Sequence, residues 1–294
     1  MCQRCAAPFS ISSSSSHADP AAPWHARRAF LLAAAATAVT GPALAQVDVG
    51  KPSMTRTLVP AEALEKAAVQ QYGQLLQQAQ AKKALAPESN PQLQKLRAIA
   101  RKMIPFAPKW NERAAGWKWE VNLIGSQQVN AFCMPGGKIA FFTGILDQLK
   151  LSDDEIAMVM GHEMAHALRE HARERLAKTT GTSAALQMGA AMLGLGQWGD
   201  LAARGSSQLL ALKFSRDDET EADLVGLELA ARAGYDPKAS VSLWNKMAKV
   251  GNAKGTPGAL SFLSTHPTGP DRIKRLEANV PKVEGLYRAA TGKG

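Results

Sequence analysis

Apolar residues recur with helical spacing over most of this chain and with strand spacing in one short region. Residues 60–86 are rich in Ala, Glu, Gln, Lys and Leu, and they predict a helix that Pro87 ends. A second helix is predicted from about Pro91 to Met103, with proline in its first turn. The first part of the fold is therefore expected to be helical.

The strand-like region comes next. Apolar residues there alternate with polar or Lys residues and predict a half-buried strand: Trp117, Trp119, Val121 and Leu123. Further on, Val129–Met134 and Lys138–Phe142 flank the turn sequence Pro135-Gly136-Gly137. This arrangement predicts a hairpin.

Beyond about Gly144 the chain looks helical. Ser152 and Glu155 match a capping box, which places the start of a helix at Asp153. No proline follows before about Lys178, so we expect one long, continuous helix.

A second capped helix is predicted after Ser215, which Asp218 follows three residues later, and it should end near Gly234. Two more helices, at about 237–249 and 270–279, close the chain. The elements together predict a mainly α fold of the α+β class, with a small hairpin sheet.

Residues 1–45 have the pattern of an export signal. Arg27 and Arg28 precede an apolar, alanine-rich run that ends in small residues at Ala45. The arginine pair leaves the twin-arginine and the general secretory routes open. Cleavage after Ala45 would leave Cys133 as the single cysteine, too few for an internal disulfide in an exported protein.

Composition adds limits to this interpretation. The formal charge is +10, but no dense basic block is interleaved with aromatic residues, so nucleic acid is not an expected partner. We expect no integral membrane span once the signal is removed, because no other apolar run is long enough. We predict a linker at 46–59, a single domain at 60–285 and a tail at 286–294. Within the domain, 60–110 should form the N-terminal helices and 111–285 the catalytic core.

The candidate chemistry is concentrated in His162-Glu163-Met164-Ala165-His166. Residues four apart share one face of a helix, so the two imidazoles can converge on one metal ion. Glu163 lies about 100° round the helix from His162, where it can reach a water on the metal without binding the metal itself. The pattern predicts a zinc-dependent hydrolase with one Zn²⁺ per chain.

A catalytic zinc site normally has a third protein ligand, and a later helix offers one. Glu219 and Asp223 are four residues apart, so both carboxylates share one face. We prefer Glu219 as the ligand and Asp223 as the acceptor for the second nitrogen of a ligating histidine. Glu221 points to another side of that helix. His171, on a continuing helix, would point away from the metal, either at the surface or behind the ligands.

The chain resembles the zinc metallopeptidase family of the HtpX heat-shock proteases and CAAX prenyl endopeptidases, which are gluzincins, and its soluble exported bacterial members most of all. The resemblance covers roughly 110–280. It rests on motifs in a fixed order: Asn130-Ala131-Phe132 leading to Pro135-Gly136-Gly137, Gly144, His162-Glu163-x-x-His166, Glu219-x-x-x-Asp223 and His266-Pro267.

The resemblance implies a helical, zincin-like domain with a defined set of site residues: zinc ligands His162, His166 and Glu219, general base Glu163, and a supporting Asp223. It also implies that His266 is a mobile group near the zinc that occludes it or binds the transition state. The residues alone leave a purely structural role for His266 equally open. Arg272 should pair with an acidic group near the site.

The resemblance would also place the hairpin's edge strand beside the metal, where a substrate peptide could pair with it through main-chain hydrogen bonds. The expected substrate contacts lie in this hairpin: Asn130, Ala131, Phe132, Gly136 and Gly137. Protein and peptide substrates follow from this arrangement.

We expect a periplasmic zinc metalloendopeptidase that hydrolyses misfolded or unassembled cell-envelope proteins. The alternative is a latent protease that acts mainly as a chaperone-like quality-control or assembly factor of the envelope. The apolar, Gly-rich residues 181–200 are interpreted as a mobile segment over the site. The alternatives for this segment are a buried hairpin and peripheral contact with the envelope membrane. The outer-membrane assembly machinery is a candidate partner.

Overall fold

The computed structural model describes residues 47–178, 212–252, 260–266 and 271–292. The predicted export signal and residues 181–200 lie outside these ranges. The α-helices are α1 (Ala61–Ala81), α2 (Pro91–Met103), α3 (Thr143–Leu149), α4 (Asp153–Leu168), α5 (Arg216–Arg232), α6 (Ala239–Asn252), α7 (Leu260–Thr265) and α8 (Asp271–Thr291). The strands are β1 (Glu120–Ile124), β2 (Ala131–Met134) and β3 (Lys138–Phe142). Short 3₁₀ helices cover Met54–Leu58, Ile104–Lys109 and Glu112–Gly116.

Helix α2 has the predicted bounds because its start is capped twice. The Asn90 side chain accepts hydrogen bonds from the backbone N–H groups of Gln92 and Leu93, and Pro91 occupies the first turn. Helix α1 ends five residues before the predicted residue 86. The chain turns at Lys83, which has a φ of 54°, and then runs alongside β1.

The predicted hairpin is confirmed, and it belongs to a three-stranded sheet in the order β1-β3-β2. Strand β2 is antiparallel to β3, whereas β1 is parallel to β3. The prediction that the first strand is half-buried was wrong. Val121 and Leu123 pack into the main core with α2, while Ile124 packs against α1 on the other face. Helices therefore cover both faces of β1.

Both predicted capping boxes are present. Ser152 exchanges hydrogen bonds with Glu155 at the start of α4, and Ser215 does so with Asp218 at the start of α5. The expectation of a continuous helix to Lys178 was wrong, because α4 ends at Leu168.

The helix breaks at Glu170, which has a left-handed φ of 60°. Residues 171–178 are helical again. Nothing in the local sequence signals this break, because arginine and glutamate favour helices. One tertiary and one local contact hold the turn: the Glu170 carboxylate lies 2.8 Å from Arg56 Nε and 2.9 Å from Nη1 of Arg173, three residues later. The break changes the direction of the residues that follow.

Helices α4 and α5 make the closest helix crossing near the candidate site. A Cβ atom added at Gly161 would lie 2.6 Å from the Gly226 carbonyl oxygen, and one at Gly226 would lie 2.6 Å from the His162 backbone nitrogen. The two backbones therefore touch beside His162. This contact brings residues that are about 60 positions apart in the chain to one place.

Gly226→Ala is expected to lower the free energy of unfolding by about 1–3 kcal/mol, because the methyl group meets backbone that cannot move aside. Urea unfolding of the metal-free protein measures this effect. The matched control is Gly73→Ala in the middle of α1, where an added Cβ meets nothing within 4 Å. That change should raise the stability by about 0.5–1 kcal/mol. Equal effects at the two positions would contradict the tight crossing.

Both ends of the described chain contact the rest of the fold. The backbone N–H of Val47 donates a 2.7 Å hydrogen bond to the buried Glu228 carboxylate, within the range expected to be a linker. Helix α8 continues past residue 285 to Thr291, and Leu286 is buried in the core. None of the described helices has the length and apolarity needed to cross a bilayer.

Candidate metal centre

Four buried side chains from three parts of the fold converge on one point. His162 and His166 come from α4, Glu219 from α5 and His266 from the residue after α7. One potential ligand atom from each side chain lies within 4.8 Å of the corresponding atom of every other. The two helices thus bring together the imidazole pair and the carboxylate that the sequence singled out.

The distances fit a tetrahedral ion. The Nε2 atoms of His162 and His166 are 3.1 Å apart, and Glu219 oxygens lie 3.5 Å and 3.4 Å from them. Ligand atoms about 2.0–2.2 Å from a tetrahedral zinc are separated by roughly 3.3–3.5 Å. Two imidazoles and one carboxylate are also a known donor set for catalytic zinc. These residues therefore fit Zn²⁺.

Glu163 lies beside this cluster without joining it. Its Oε1 is buried and has no hydrogen-bond partner among the described residues, and it lies 3.7 Å from His266 Nε2. Burial raises the pKa of Glu163 to about 7. A buried carboxylate oxygen without a partner is costly, so its presence indicates that a polar group binds there in the working protein.

Asp223 and Arg272 hold the ligands from behind. Asp223 Oδ1 lies 3.0 Å from His162 Nδ1. Arg272 donates hydrogen bonds to two carboxylates of α5, those of Asp223 and Glu219. Its Nε and Nη2 donate to Asp223 at 2.6 and 2.7 Å, and its Nη1 donates to Glu219 at 2.8 Å. The guanidinium also lies 3.3 Å from the centre of the Trp244 ring, which fixes its plane.

His266 contacts two of the other three members of the cluster. Its Nδ1 lies 2.9 Å from Glu219 Oε1 and 3.3 Å from His162 Nε2. Its ring stacks on Phe262 at a centroid distance of 4.3 Å. In this arrangement a protein nitrogen takes the fourth position of the cluster, which a catalytic zinc leaves to water or substrate.

Electrostatics suits metal binding. Burial lowers the pKa values of His162 and His166, which favours the neutral imidazoles that metals bind. Burial would raise the pKa of Glu219, but hydrogen bonds from His166 and His266 outweigh it and lower that pKa. Burial also acts to lower the pKa of His266, and the carboxylates of Glu163 and Glu219 reverse the shift and raise it.

His171 does not point away from the cluster, as a continuous helix would require. It is only 2% exposed, and its Nδ1 lies 2.9 Å from His166 Nδ1. The left-handed turn at Glu170 directs it back towards the ligand. The expectation of a surface position was wrong, and the position behind the ligands is the observed one. The spacing His166-x₄-His171 was the available signal, but its meaning depended on the break.

A groove runs along the edge strand β2 to the cluster. Asn130, Ala131 and Phe132 line it together with Glu163 and His166. Gly136 and Gly137, predicted as substrate contacts, lie in the tight β2–β3 turn instead. Both have positive φ angles, of 82° and 75°, which glycine adopts without strain. An added Cβ at Gly137 would lie 2.7 Å from the Trp119 ring. Their observed place is in the turn and not in the groove.

Comparison with known proteins agrees with this geometry. The sequence model of a protein family, described as Peptidase family M48, matches residues 91–280 of this chain. Mitochondrial metalloendopeptidase OMA1 of Arabidopsis thaliana is 43% identical over 169 residues, which are 56% of this chain and 32% of the plant protein. Metalloprotease LoiP of Escherichia coli (strain K12) is 26% identical over 209 residues, which are 69% of this chain and 76% of LoiP.

A third relative is the Beta-barrel assembly-enhancing protease of Yersinia pestis, which is 30% identical over 173 residues. These residues are 54% of this chain and 34% of the Yersinia protein. The chain therefore spans about a third of the length of the plant and Yersinia relatives. Residues 91–280, which the family model matches, include every residue of the four-membered cluster.

Proposed function

Because this chain belongs to peptidase family M48, we propose that it is a zinc metalloendopeptidase. The proposed zinc ligands are His162, His166 and Glu219. One observation carries the proposal: two imidazoles and a carboxylate converge beside a buried carboxylate oxygen of Glu163 that has no hydrogen-bond partner in the described part of the chain. Hydrolysis of unfolded casein by the purified protein, and its loss in a Glu163→Gln variant, tests this function.

The mechanism uses Glu163 as general base and general acid. Zinc bound at the site supplies Lewis-acid polarisation of the scissile carbonyl and lowers the pKa of water there. Glu163 takes the proton from the attacking water and passes it to the leaving amine. Its raised pKa, about 7, suits a group that must both accept and return a proton near neutral pH.

The supporting residues fix the geometry of this reaction. We assign Asp223 to accept the Nδ1 proton of His162, which leaves Nε2 free to bind the metal. Arg272 holds the carboxylates of Asp223 and Glu219 in place from one guanidinium. The rigid ion pairs keep the carboxylate ligand charged, and they orient it before zinc or substrate arrives.

The proposed substrate path is the groove along β2. In the described sheet β2 is an edge strand, so a peptide could extend the sheet by main-chain hydrogen bonds with little demand on sequence. Asn130, Ala131 and Phe132 would then contact the substrate next to Glu163. Such binding suits unfolded segments, whose backbone is free to pair.

We assign this activity to the bacterial periplasm, on misfolded or unassembled envelope proteins. Support comes from the export pattern in residues 1–45 and from a relative whose name states that it enhances β-barrel assembly. The narrower likeness to the HtpX and CAAX endopeptidase branch stays a prediction, since the relatives compared above carry other names. Contact with the outer-membrane assembly machinery is likewise a proposal.

The position of His266 favours a second candidate function, a latent protease that serves mainly as a chaperone-like assembly factor. Its Nδ1 is 2.9 Å from Glu219 and 3.3 Å from His162 Nε2, so the imidazole fills the place of water. A zinc site with four protein ligands is closed, and closed sites are typical of structural zinc. Activity would then require His266 to move aside.

His266→Ala is expected to raise casein hydrolysis by about tenfold or more if the closed arrangement dominates. A hydrogen bond to a buried charged group contributes about 1.5–3 kcal/mol, and removing it shifts the population by at least that factor. The measurement compares initial rates at equal zinc content, with Thr265→Ala as the neighbouring control. A fall in rate would instead assign His266 to the transition state and reject latency.

A further inference from the structure

We propose that His171, Glu221 and Arg169 form a hydrogen-bonded chain that positions His166 for zinc. The inference rests on the proposed zinc site, and it concerns residues that the reaction itself does not need. His171 is a positioning residue in this proposal, since it acts through His166 and lies behind that ligand.

The two nitrogens of His166 have different surroundings. Its Nε2 faces the cluster, 3.1 Å from His162 Nε2 and 3.4 Å from Glu219. Its Nδ1 faces the opposite way and lies 2.9 Å from His171 Nδ1. When Nε2 binds a metal it carries no proton, so the proton of the neutral ring must sit on Nδ1.

The position of this proton on His166 Nδ1 determines which atom is the donor in each hydrogen bond between His166, His171 and Glu221. His166 Nδ1–H donates to His171 Nδ1, which must therefore be the unprotonated nitrogen of His171. The His171 proton then sits on Nε2, which lies 3.4 Å from Glu221 Oε2 and donates to it. A neutral His171 in this single tautomer satisfies both of its contacts.

Arg169 anchors the far end of the chain. Its Nε donates to the same Glu221 oxygen at 2.7 Å, and its Nη2 donates to the Gly50 carbonyl at 3.0 Å. The Arg169 guanidinium and the Glu221 carboxylate thus form a close ion pair that fixes the position of the carboxylate. The charge and its fixed place make Glu221 a permanent acceptor for His171.

The other imidazole ligand, His162, is supported in the same way but without an intervening histidine. His162 Nδ1 meets the Asp223 carboxylate directly, and Arg272 holds that carboxylate. Each ligating imidazole is thus backed by a carboxylate and an arginine, and His171 supplies the extra length on one side. Partners of this kind fix the tautomer and ring orientation of metal ligands.

The backbone supports this interpretation. A non-glycine residue with a left-handed conformation costs about 1–2 kcal/mol, and Glu170 adopts it between two helical segments. Without this turn the helix would carry His171 away from His166. The strained turn at Glu170 directs the chain so that His171 Nδ1 lies against the ligand.

The test compares zinc affinity in His171→Ala, His171→Gln and Glu221→Gln variants by competition with a chromogenic chelator. His171→Ala should weaken zinc binding by about 10- to 100-fold, since the His166 proton then lacks an acceptor. His171→Gln should recover part of the loss, because its amide oxygen can accept that proton. The visible spectrum of the Co²⁺-loaded protein should change in His171→Ala.

Glu174→Gln is the matched control, because Glu174 is a buried carboxylate one turn after His171 and pairs with Lys178. It should leave zinc affinity and the Co²⁺ spectrum unchanged, and circular dichroism checks that each variant is folded. Wild-type zinc affinity in the His171→Ala variant, or an equal loss of zinc affinity in the Glu174→Gln variant, would overturn this inference but not the proposed function. A wild-type protein that binds no zinc would overturn the proposed function itself.

Discussion

Glu163→Gln is expected to lower the rate of casein hydrolysis by about 10³-fold while leaving one zinc per chain, because general acid–base catalysis contributes about 10²–10⁴-fold. The amide has nearly the shape of the carboxylate, but it cannot take a proton from water. Glu163 lies outside the ligand cluster, so its loss removes no metal–ligand bond. Initial rates and zinc content on the same samples measure both parts of this prediction.

The control for this experiment is Glu155→Gln, on the same helix. Glu155 is also buried, but its carboxylate pairs with Lys246 at 2.6 Å, away from the metal centre. This variant should lose some stability and keep its rate per folded molecule. Full activity in Glu163→Gln would refute the role of Glu163, and loss of its zinc would reassign it to the ligands.

His166→Ala is expected to remove the zinc and the activity together. Loss of an outer partner weakens zinc binding by about 10- to 100-fold, and loss of a ligand should exceed this range. The second nitrogen of His166 lies 2.9 Å from His171 Nδ1, so the substitution also removes this contact behind the ligand. Metal analysis after dialysis measures the stoichiometry.

Because the side chain is buried, His166→Ala leaves a cavity that lowers stability. The His166→Asn variant therefore accompanies it, since asparagine fills more of the space and keeps a polar group there. Both variants should bind no zinc under conditions where Glu163→Gln binds one equivalent. A full equivalent of zinc in either variant would show that His166 is not a ligand.

The sequence predicted most helix starts correctly, since these depend on residues close together in the chain. The caps at Asn90, Ser152 and Ser215 each bond backbone N–H groups within three residues. The hairpin was predictable for the same reason, because its turn is encoded by Pro135-Gly136-Gly137 between two apolar runs. Errors appeared where the partner of a residue lay elsewhere in the fold.

Three such errors or gaps share one cause. The burial of β1 on both faces depends on helices that pack over it from earlier in the chain. The end of α4 depends on Arg56, far away in the chain, contacting Glu170 in its left-handed turn. The sequence could place Arg272 near an acidic group but could not name Asp223 and Glu219 as its partners.

The sequence by itself determined that His162 and His166 share a face of one helix and that Glu219 and Asp223 share a face of another, because helical geometry is local. Only the tertiary structure decided that these faces meet, since the meeting depends on the backbone contact of Gly161 with Gly226. It also decided that His171 lies behind His166 and that His266 closes the cluster. Such contacts join distant parts of the chain, and their energies depend on packing that no local pattern records.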